Sequence, residues 1–124
     1  MDFKQLLAYK KAFDLAMDIF EISKPFPKEE TYSLTDQIRR SLRSVCANIS
    51  EAYWKRRYPK HFISKLTDAD EENSETNTWL DFASSCNYIS SRDYAKYIEK
   101  SKEVGKLINY MINNPDKFGV KTEN

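Results

Sequence analysis

The chain has 124 residues, and its 20 lysines and arginines against 19 acidic residues leave a net charge of +1. A hydrophobic content of 40% excludes a disordered composition, and the length fits one domain with a single core. No apolar run approaches the ~20 residues that span a bilayer. Residues 1 to 4 lack the apolar core of a secretory signal, so we expect a cytoplasmic protein.

Glycine and proline usage favours helices over strands. Two glycines and four prolines leave few positions for tight turns, which is typical of a small number of long elements. Cys46 and Cys86 lie too far apart in the sequence for a metal-ligand pair. In a chain without an export signal we expect both to be reduced, buried thiols rather than a disulfide.

The first predicted helix covers residues 6–23 and ends before Pro25 and Pro27, which cannot continue it. Apolar residues recur along it at helical spacing. The predicted core stripe contains Leu6, Tyr9, Phe13, Met17 and Phe20, widened by Leu15, Ile19 and Ile22.

The second predicted helix covers residues 34–57 and has the most regular apolar spacing in the chain. Its predicted core positions are Leu34, Ile38, Leu42, Val45, Ile49, Ala52 and Tyr53. The same helical wheel places a different set on the outer face, namely Arg39, Arg43, Ser50, Trp54 and Arg57.

The third predicted helix covers residues 60–86, with Pro59 suited to its first turn. Its ends are apolar, but between residues 67 and 78 Ala69 is the only apolar residue. A polar midsection inside a bundle requires hydrogen-bond partners or water.

The fourth predicted helix covers residues 93–113. Ser90 is its predicted N-terminal cap, with Asp93 three positions later.

Short connections make consecutive helices antiparallel neighbours, so the prediction is an all-α, up-down-up-down four-helix bundle. We predict that residues 1–115 form this bundle domain. Residues 116–124, after Asn114-Pro115, are predicted to form a flexible tail.

Residues suited to catalysis are few. His61 is the only histidine, and its place at a helix start favours an exposed, non-catalytic side chain. Gly105 and Gly119 are isolated, so no glycine-rich phosphate loop exists. The acidic residues of the third helix offer a less favoured alternative, a carboxylate metal site, although such sites usually include several histidines. We expect a protein that is not an enzyme and has no metal or cofactor.

Charge is sorted by segment. Residues 37–65 contain eight basic residues and one acid, Glu51, whereas residues 66–81 contain six acids and no lysine or arginine. The basic residues could contact phosphates, and the predicted nucleic-acid-binding set is Arg39, Arg43, Lys55, Arg56, Arg57, Lys60 and Lys65. The alternative is neutralisation within the chain, such as a pair between Arg40 and Glu75.

Trp54 is predicted to point away from the core among arginines. An exposed tryptophan indicates an interface, and tryptophan with arginine fits either base stacking or the centre of a protein contact. Nucleic-acid binding is the leading hypothesis and a protein-interaction scaffold is the alternative. For the scaffold, the predicted oligomer interface contains Trp54, Arg39, Arg43 and Ser50.

Several motifs carry a family resemblance. They are Phe26-Pro27-Lys28-Glu29-Glu30, Tyr32-Ser33-Leu34-Thr35, Gln37-Ile38-Arg39-Arg40, Asn48-Ile49-Ser50-Glu51-Ala52, Glu75 with Thr78 and Leu80, and Asn87-Tyr88-Ile89. Together they resemble the four-helix-bundle proteins encoded within intervening sequences of bacterial 23S ribosomal RNA genes. The accessory protein of diversity-generating retroelements is a relative of that family.

The resemblance implies a homopentamer of four-helix bundles with no enzymatic role. The retroelement relative binds nucleic acid and a reverse transcriptase, so RNA, DNA and such a protein are the partners that the resemblance suggests. By matched position, Arg39, Arg40, Asn48 and Glu51 are the family's signature polar residues, and we expect them to act in structure and assembly before ligand contact. Glu75 is also predicted to be a structural polar residue. The sequence departs from the family at Ala52, where a glycine is common, and at Glu71-Glu72, where a small Gly-Ser pair is expected.

Overall fold

The computed structural model describes residues 6–121, and this part of the chain is all-α with no strand. The long helices are α1 (Leu7–Ile22), α2 (Asp36–Trp54), α3 (Pro59–Ser85) and α4 (Ser91–Asn113). A 3₁₀ turn (Lys28–Glu30) and a π-helical turn (Thr31–Thr35) precede α2, and a second 3₁₀ turn (Pro115–Phe118) follows α4. The four predicted helices are confirmed, with ends that differ by a few residues.

The apolar stripe of α2 is confirmed. Every predicted core position of this helix is buried, and Leu42, Val45 and Ile49 are completely inaccessible to solvent. On α4, Tyr97, Val104 and Ile108 are buried in the same core, and the predicted Ser90 cap accepts a hydrogen bond from the backbone N–H of Asp93 at 3.0 Å.

The core stripe of α1 differs from the prediction. Leu6, Leu15 and Ile19 are buried as predicted, but Phe13 and Met17 are 49% and 46% exposed, and Ala8 and Ala12 are buried instead. Alanine is only weakly hydrophobic, so Ala8 and Ala12 do not stand out in the apolar pattern of the sequence. Their short side chains nevertheless let α1 lie close to its neighbours, which turns the larger residues of the adjacent row toward solvent.

The polar midsection of α3 is helical, and its buried residues Asn73 and Thr76 have hydrogen-bond partners inside the bundle. Asn73 donates from Nδ2 to the carbonyl oxygen of Ser101 at 2.9 Å, and its Oδ1 accepts from the Ser101 hydroxyl at 3.2 Å. The hydroxyls of Thr76 and Ser41 are 2.8 Å apart. The prediction that this segment needs hydrogen-bond partners is confirmed, because α4 and α2 supply them.

The segment before α2 is held to the connection between α3 and α4. Tyr88 donates its hydroxyl to a carboxylate oxygen of Glu30 at 2.9 Å, and its ring lies 5.6 Å from that of Phe26. The hydrogen bond to Glu30 raises the pKa of Tyr88 to about 12. Asn87 makes the turn with φ of 62°, a conformation that asparagine tolerates better than most residues.

The chain after α4 folds back onto the bundle. The sequence predicts a flexible tail from residue 116, but Val120 is buried and the carbonyl oxygen of Phe118 accepts a hydrogen bond from Arg56 at 3.4 Å. Gly119 has φ of 83°, which allows the chain to reverse after the 3₁₀ turn. Residues 122–124 lie outside the described residues.

Both cysteines are free thiols, but only Cys46 is buried. Burial raises the pKa of its thiol to about 11. The expectation that Cys86 is also buried is wrong, because it lies exposed at the end of α3. Within residues 6–121, no helix is long and apolar enough to cross a membrane.

Candidate nucleic-acid interface

The α2–α3 corner, defined as residues 54–61, carries the exposed part of the predicted basic surface. The helix α2 ends at Trp54, and α3 begins at Pro59 as predicted. Tyr58 is extended because the following proline disfavours helical dihedral angles at that position. Its carbonyl oxygen accepts the first backbone hydrogen bonds of α3, from the N–H groups of His61 and Phe62.

The cations of this corner are accessible. Arg57 and Lys60 are exposed and Lys55 is half-buried. Within residues 6–121 none of the three forms an ion pair with a carboxylate within 4 Å; the same holds for Arg43, which is exposed on α2. These four members of the predicted nucleic-acid-binding set therefore remain available to an external anion.

Two aromatic side chains accompany the cations. Trp54 is 78% exposed, which confirms that it points away from the core, and Tyr58 is 55% exposed. His61 is exposed, as the sequence predicts, and meets the Tyr58 ring edge-on with the ring centroids 5.8 Å apart. Tyr58 is not among the predicted binding residues, although its position between Arg57 and Pro59 indicates that it lies in the corner.

Arg39 is not on the outer face where the helical wheel places it. Its Nε donates to the hydroxyl of Ser23 at 2.8 Å, and its Nη2 donates to the carbonyl oxygen of Phe20 at 3.2 Å. The guanidinium lies over the Phe20 ring, 4.7 Å from its centroid. Arg39 therefore fastens α2 to the end of α1, where carbonyl oxygens lack helical partners.

Arg56 also has an internal role. Its Nε donates to the carbonyl oxygen of Tyr53 at 2.8 Å, its guanidinium lies 3.7 Å from the Tyr53 ring centroid, and Nη1 reaches Phe118. A long side chain at the helix end bridges to a turn that is 62 positions later in the sequence. Arg56 therefore supports the C-terminal turn instead of facing solvent freely.

Lys65, a member of the predicted nucleic-acid-binding set, has a carboxylate partner within the chain. Its Nζ lies 2.9 Å from a carboxylate oxygen of Glu51 across the α2–α3 contact. The hydrogen bond to Glu51 raises the pKa of Lys65. Glu51, predicted to be a structural polar residue, thus neutralises one member of the predicted basic set.

The remaining predicted polar residues contact their own helices. Among the described residues no ion pair joins Arg40 to Glu75; Glu75 accepts a hydrogen bond from Nε1 of Trp79 at 3.2 Å. Asn48 donates to the carbonyl oxygen of Ser44 at 3.0 Å, and Ser50 donates to that of Ala47 at 3.0 Å.

Arg40 acts electrostatically on a different carboxylate, Glu72. Burial raises the pKa of Glu72, and the nearby charges of Glu75 and Glu71 raise it further. The positive charge of Arg40 opposes these effects without cancelling them. The unusual glutamate pair in the third helix therefore places one carboxylate in an unfavourable, partly buried position.

A second surface, the α1–α2 groove, was not predicted. Phe13 and Met17 of α1 flank it together with residues of α2 that include Arg43, and its full lining is Tyr9, Phe13, Ala16, Met17, Arg43, Cys46, Ala47 and Ser50. Arg43 and Ser50, two residues of the predicted oligomer interface, lie here. The sequence feature that could have indicated this groove is the pair Ala8 and Ala12. Burial of these alanines on the core side of α1 leaves Phe13 exposed.

No group of three or more His, Cys, Asp or Glu side chains within residues 6–121 is arranged to hold a metal ion. The carboxylates of α3 that suggested the alternative metal site include Glu71 and Glu75, which are exposed, and Glu72, which is half-buried.

A known protein family matches the part of the chain that contains the four helices. The family model described as 23S rRNA-intervening sequence protein matches residues 4–110. The chain belongs to this family. The resemblance that the motifs of α2 and α3 indicate is thereby confirmed. No curated protein matches the chain.

A solved relative of this 23S rRNA-intervening sequence protein has the same fold. It is described as a protein with unknown function from the S23 ribosomal protein family of Bacteroides thetaiotaomicron VPI-5482. The two chains are 30% identical and superpose with a TM-score of 0.78, over 86% of this chain and 96% of the other.

Proposed function

We propose that this family member is a non-enzymatic helical protein that binds nucleic acid through the α2–α3 corner. The observation that carries the proposal is the exposure of Arg57 and Lys60 beside the exposed rings of Trp54 and Tyr58. No acidic residue occurs between Glu51 and Asp68, and Glu51 is paired with Lys65. The corner therefore presents positive charge that the bundle leaves unneutralised.

Phosphate contacts by these cations would supply most of the affinity, so binding should weaken steeply with salt. The contacts of Arg39, Arg56 and Lys65 support a smaller binding set than the sequence indicates. We assign the phosphate contacts to Lys55, Arg57 and Lys60.

The test is fluorescence anisotropy with labelled RNA and DNA at low salt. The double substitution Arg57→Ala and Lys60→Ala should weaken binding and reduce the salt slope by about 2, one unit for each lost phosphate contact. The matched control is Lys102→Ala with Lys106→Ala, which removes two exposed lysines of α4. Absence of wild-type binding at low salt would refute the proposal, as would equal losses in the control.

A second candidate function, self-assembly, is favoured by the α1–α2 groove. Phe13 and Met17 are each about half exposed, and Trp54 is the most exposed large apolar residue of α2. Phe13 and Met17 share the groove, and exposed apolar side chains that share a surface mark a protein interface. This supports self-assembly with Arg43 and Ser50 inside the contact, whereas the number of five subunits is implied by the family resemblance alone.

Light scattering tests this candidate. Phe13→Ser with Met17→Ser should shift the wild-type oligomer toward monomer while the helical content by circular dichroism is retained. Trp54→Ala should do the same if the indole belongs to the interface, whereas Tyr32→Ala, an exposed ring before α2, should not. A monomeric wild type would exclude self-assembly through this groove.

We also infer an up-down-up-down arrangement of the helices. The contacts that support it occur in reversed order along neighbouring helices. Between α2 and α3, Ser41 meets Thr76 and Glu51 meets Lys65. Between α1 and α4, Lys11 meets Glu103 and Asp18 meets Lys100.

A further inference from the structure

We propose that the α2–α3 corner selects single-stranded nucleic acid, with the ring of Tyr58 as a platform on which an unpaired base stacks. This inference rests on the proposed function and names the form of nucleic acid that the corner binds. It assigns a role to Tyr58 that is separate from the self-assembly surface of the α1–α2 groove.

Tyr58 is held in place although its ring is exposed. Its backbone N–H donates to the carbonyl oxygen of Lys55 at 2.9 Å, and its own carbonyl oxygen accepts from His61 at 2.9 Å. Pro59 restricts the dihedral angles of Tyr58, and the imidazole of His61 packs edge-on against the phenol ring. A base stacking on this ring would therefore meet a surface whose position is already fixed, which lowers the entropy cost of binding.

The residues near the Tyr58 ring suit a nucleic-acid strand, in which each base is accompanied by one phosphate. Arg57 precedes Tyr58 and Lys60 follows Pro59, so exposed cations lie on both sides of the aromatic residue in the chain. Pro59 and Lys60, with Ile63 and Ser64 one turn later, line a shallow concavity of mainly apolar surface at the start of α3. An exposed aromatic ring accompanied by exposed cations is the combination that binds single strands with little sequence preference.

Duplexes fit this corner less well. In a double helix the base faces are stacked on one another, so a protein ring can reach a base face only where the stack is interrupted. The phosphates of a duplex would still contact Arg57 and Lys60, but the Tyr58 ring would add nothing. The two forms also differ in phosphate charge density, so the contribution of the ring is measured by how much its removal weakens single-strand binding relative to duplex binding.

The charge of the corner favours nucleic acid over a protein partner. Lysine is depleted in the cores of protein interfaces, whereas Lys55 and Lys60 lie on either side of Tyr58. A contact that paired this corner with the same corner of a second copy would bring like charges together. Tyr58 could be buried in such a contact only if acidic groups of the partner matched these cations.

The experiment compares a labelled single-stranded oligonucleotide of about 12 nucleotides, within the span of one such site, with its own duplex. We expect the wild type to bind the single strand more tightly. Tyr58→Ala should weaken single-strand binding roughly tenfold, the effect of losing one base–aromatic stack, and leave duplex binding unchanged. Tyr58→Phe retains the ring and should bind as the wild type does. Tyr32→Ala, which removes a ring that is 81% exposed before the start of α2, is the matched control.

The outcomes separate the inference from the proposed function. Equal affinity for both forms, with no effect of Tyr58→Ala, would overturn the inference and leave nucleic-acid binding intact. Failure of both forms to bind at low salt would overturn both. A Tyr58→Ala variant that changes the oligomer mass by light scattering would place this ring in a protein contact and overturn the inference. Circular dichroism melts confirm that each variant is folded.

Discussion

Asn73 and Asn77 lie one helical turn apart on α3 and have different environments. Asn73 is buried and bonded at both ends of its amide to Ser101, whereas Oδ1 of Asn77 is buried without a hydrogen-bond partner among the described residues. Burying an unsatisfied polar atom costs free energy. In the polar midsection of α3, Asn73 therefore helps to fix how α3 packs against α4. Asn77 instead lowers the stability of the folded state, because its buried oxygen lacks a partner.

Glu72 gives a prediction at this scale that depends on pH. Its pKa is raised in the folded state, chiefly by burial, so the charged form destabilises folding. This cost is fully present above the folded pKa and disappears as pH falls through that value toward the unfolded pKa. Glu72→Gln should therefore raise the melting temperature at pH 7, and the gain should shrink on acidification.

Thermal melts of both proteins between pH 7 and pH 4 check this expectation. Glu99→Gln, at an exposed glutamate of α4, is the control and should change the melting temperature little. If Glu72→Gln instead lowers the stability at pH 7, attraction between Arg40 and Glu72 outweighs burial and the explanation is wrong.

At the scale of elements, small residues decide how closely the helices approach. Ala8 and Ala12 form the buried row of α1 with Leu15 and Ile19, which is why the larger Phe13 lies in the groove. Gly105 occupies the interior of α4 beside Asn73. The chain has only two glycines, and their surroundings predict opposite responses to substitution by alanine.

Gly105→Ala should stabilise the protein by about 1 kcal/mol, the difference in helix propensity between the two residues. The added methyl would lie 3.4 Å from Nδ2 of Asn73 and 3.9 Å from Oδ1 of Asp70, which are ordinary contact distances. Gly119→Ala should destabilise by about 1–2 kcal/mol, because φ is 83° there and the methyl would lie 3.1 Å from Nη1 of Arg56.

Urea unfolding followed by circular dichroism measures both changes. A loss of stability in Gly105→Ala would show that α4 and α3 are too close for the methyl. An unchanged stability in Gly119→Ala would show that the C-terminal turn contributes nothing to the folded state.

At the scale of the whole molecule, charge pairing is uneven. Lys100 of α4 contacts both Asp14 and Asp18 of α1, and Lys11 contacts Glu103. Lysines in this part of the bundle thus meet carboxylates of a neighbouring helix. The α2–α3 corner has no equivalent acids, so a chain with a net charge of only +1 still presents a local positive surface.

The helices could be predicted from the sequence because apolar spacing such as Ile38, Leu42, Val45 and Ile49 reports burial directly. The outward position of Trp54 followed from the same wheel. The family resemblance assigned Arg39 to structure, but helical spacing could not predict the partners of the arginines, since Arg39 bonds to a residue 16 positions away and Arg56 to one 62 positions away. Such contacts depend on how the helices and turns pack together, which the spacing of residues within one helix does not predict.

The bond between Arg56 and the carbonyl oxygen of Phe118 has a practical consequence for labelling. It brings residues 118 and 119 close to the junction of α2 and α3, so a fluorophore attached at Lys121, two positions after Gly119, would report on any molecule that docks there. An affinity tag joined at the same position would crowd that junction.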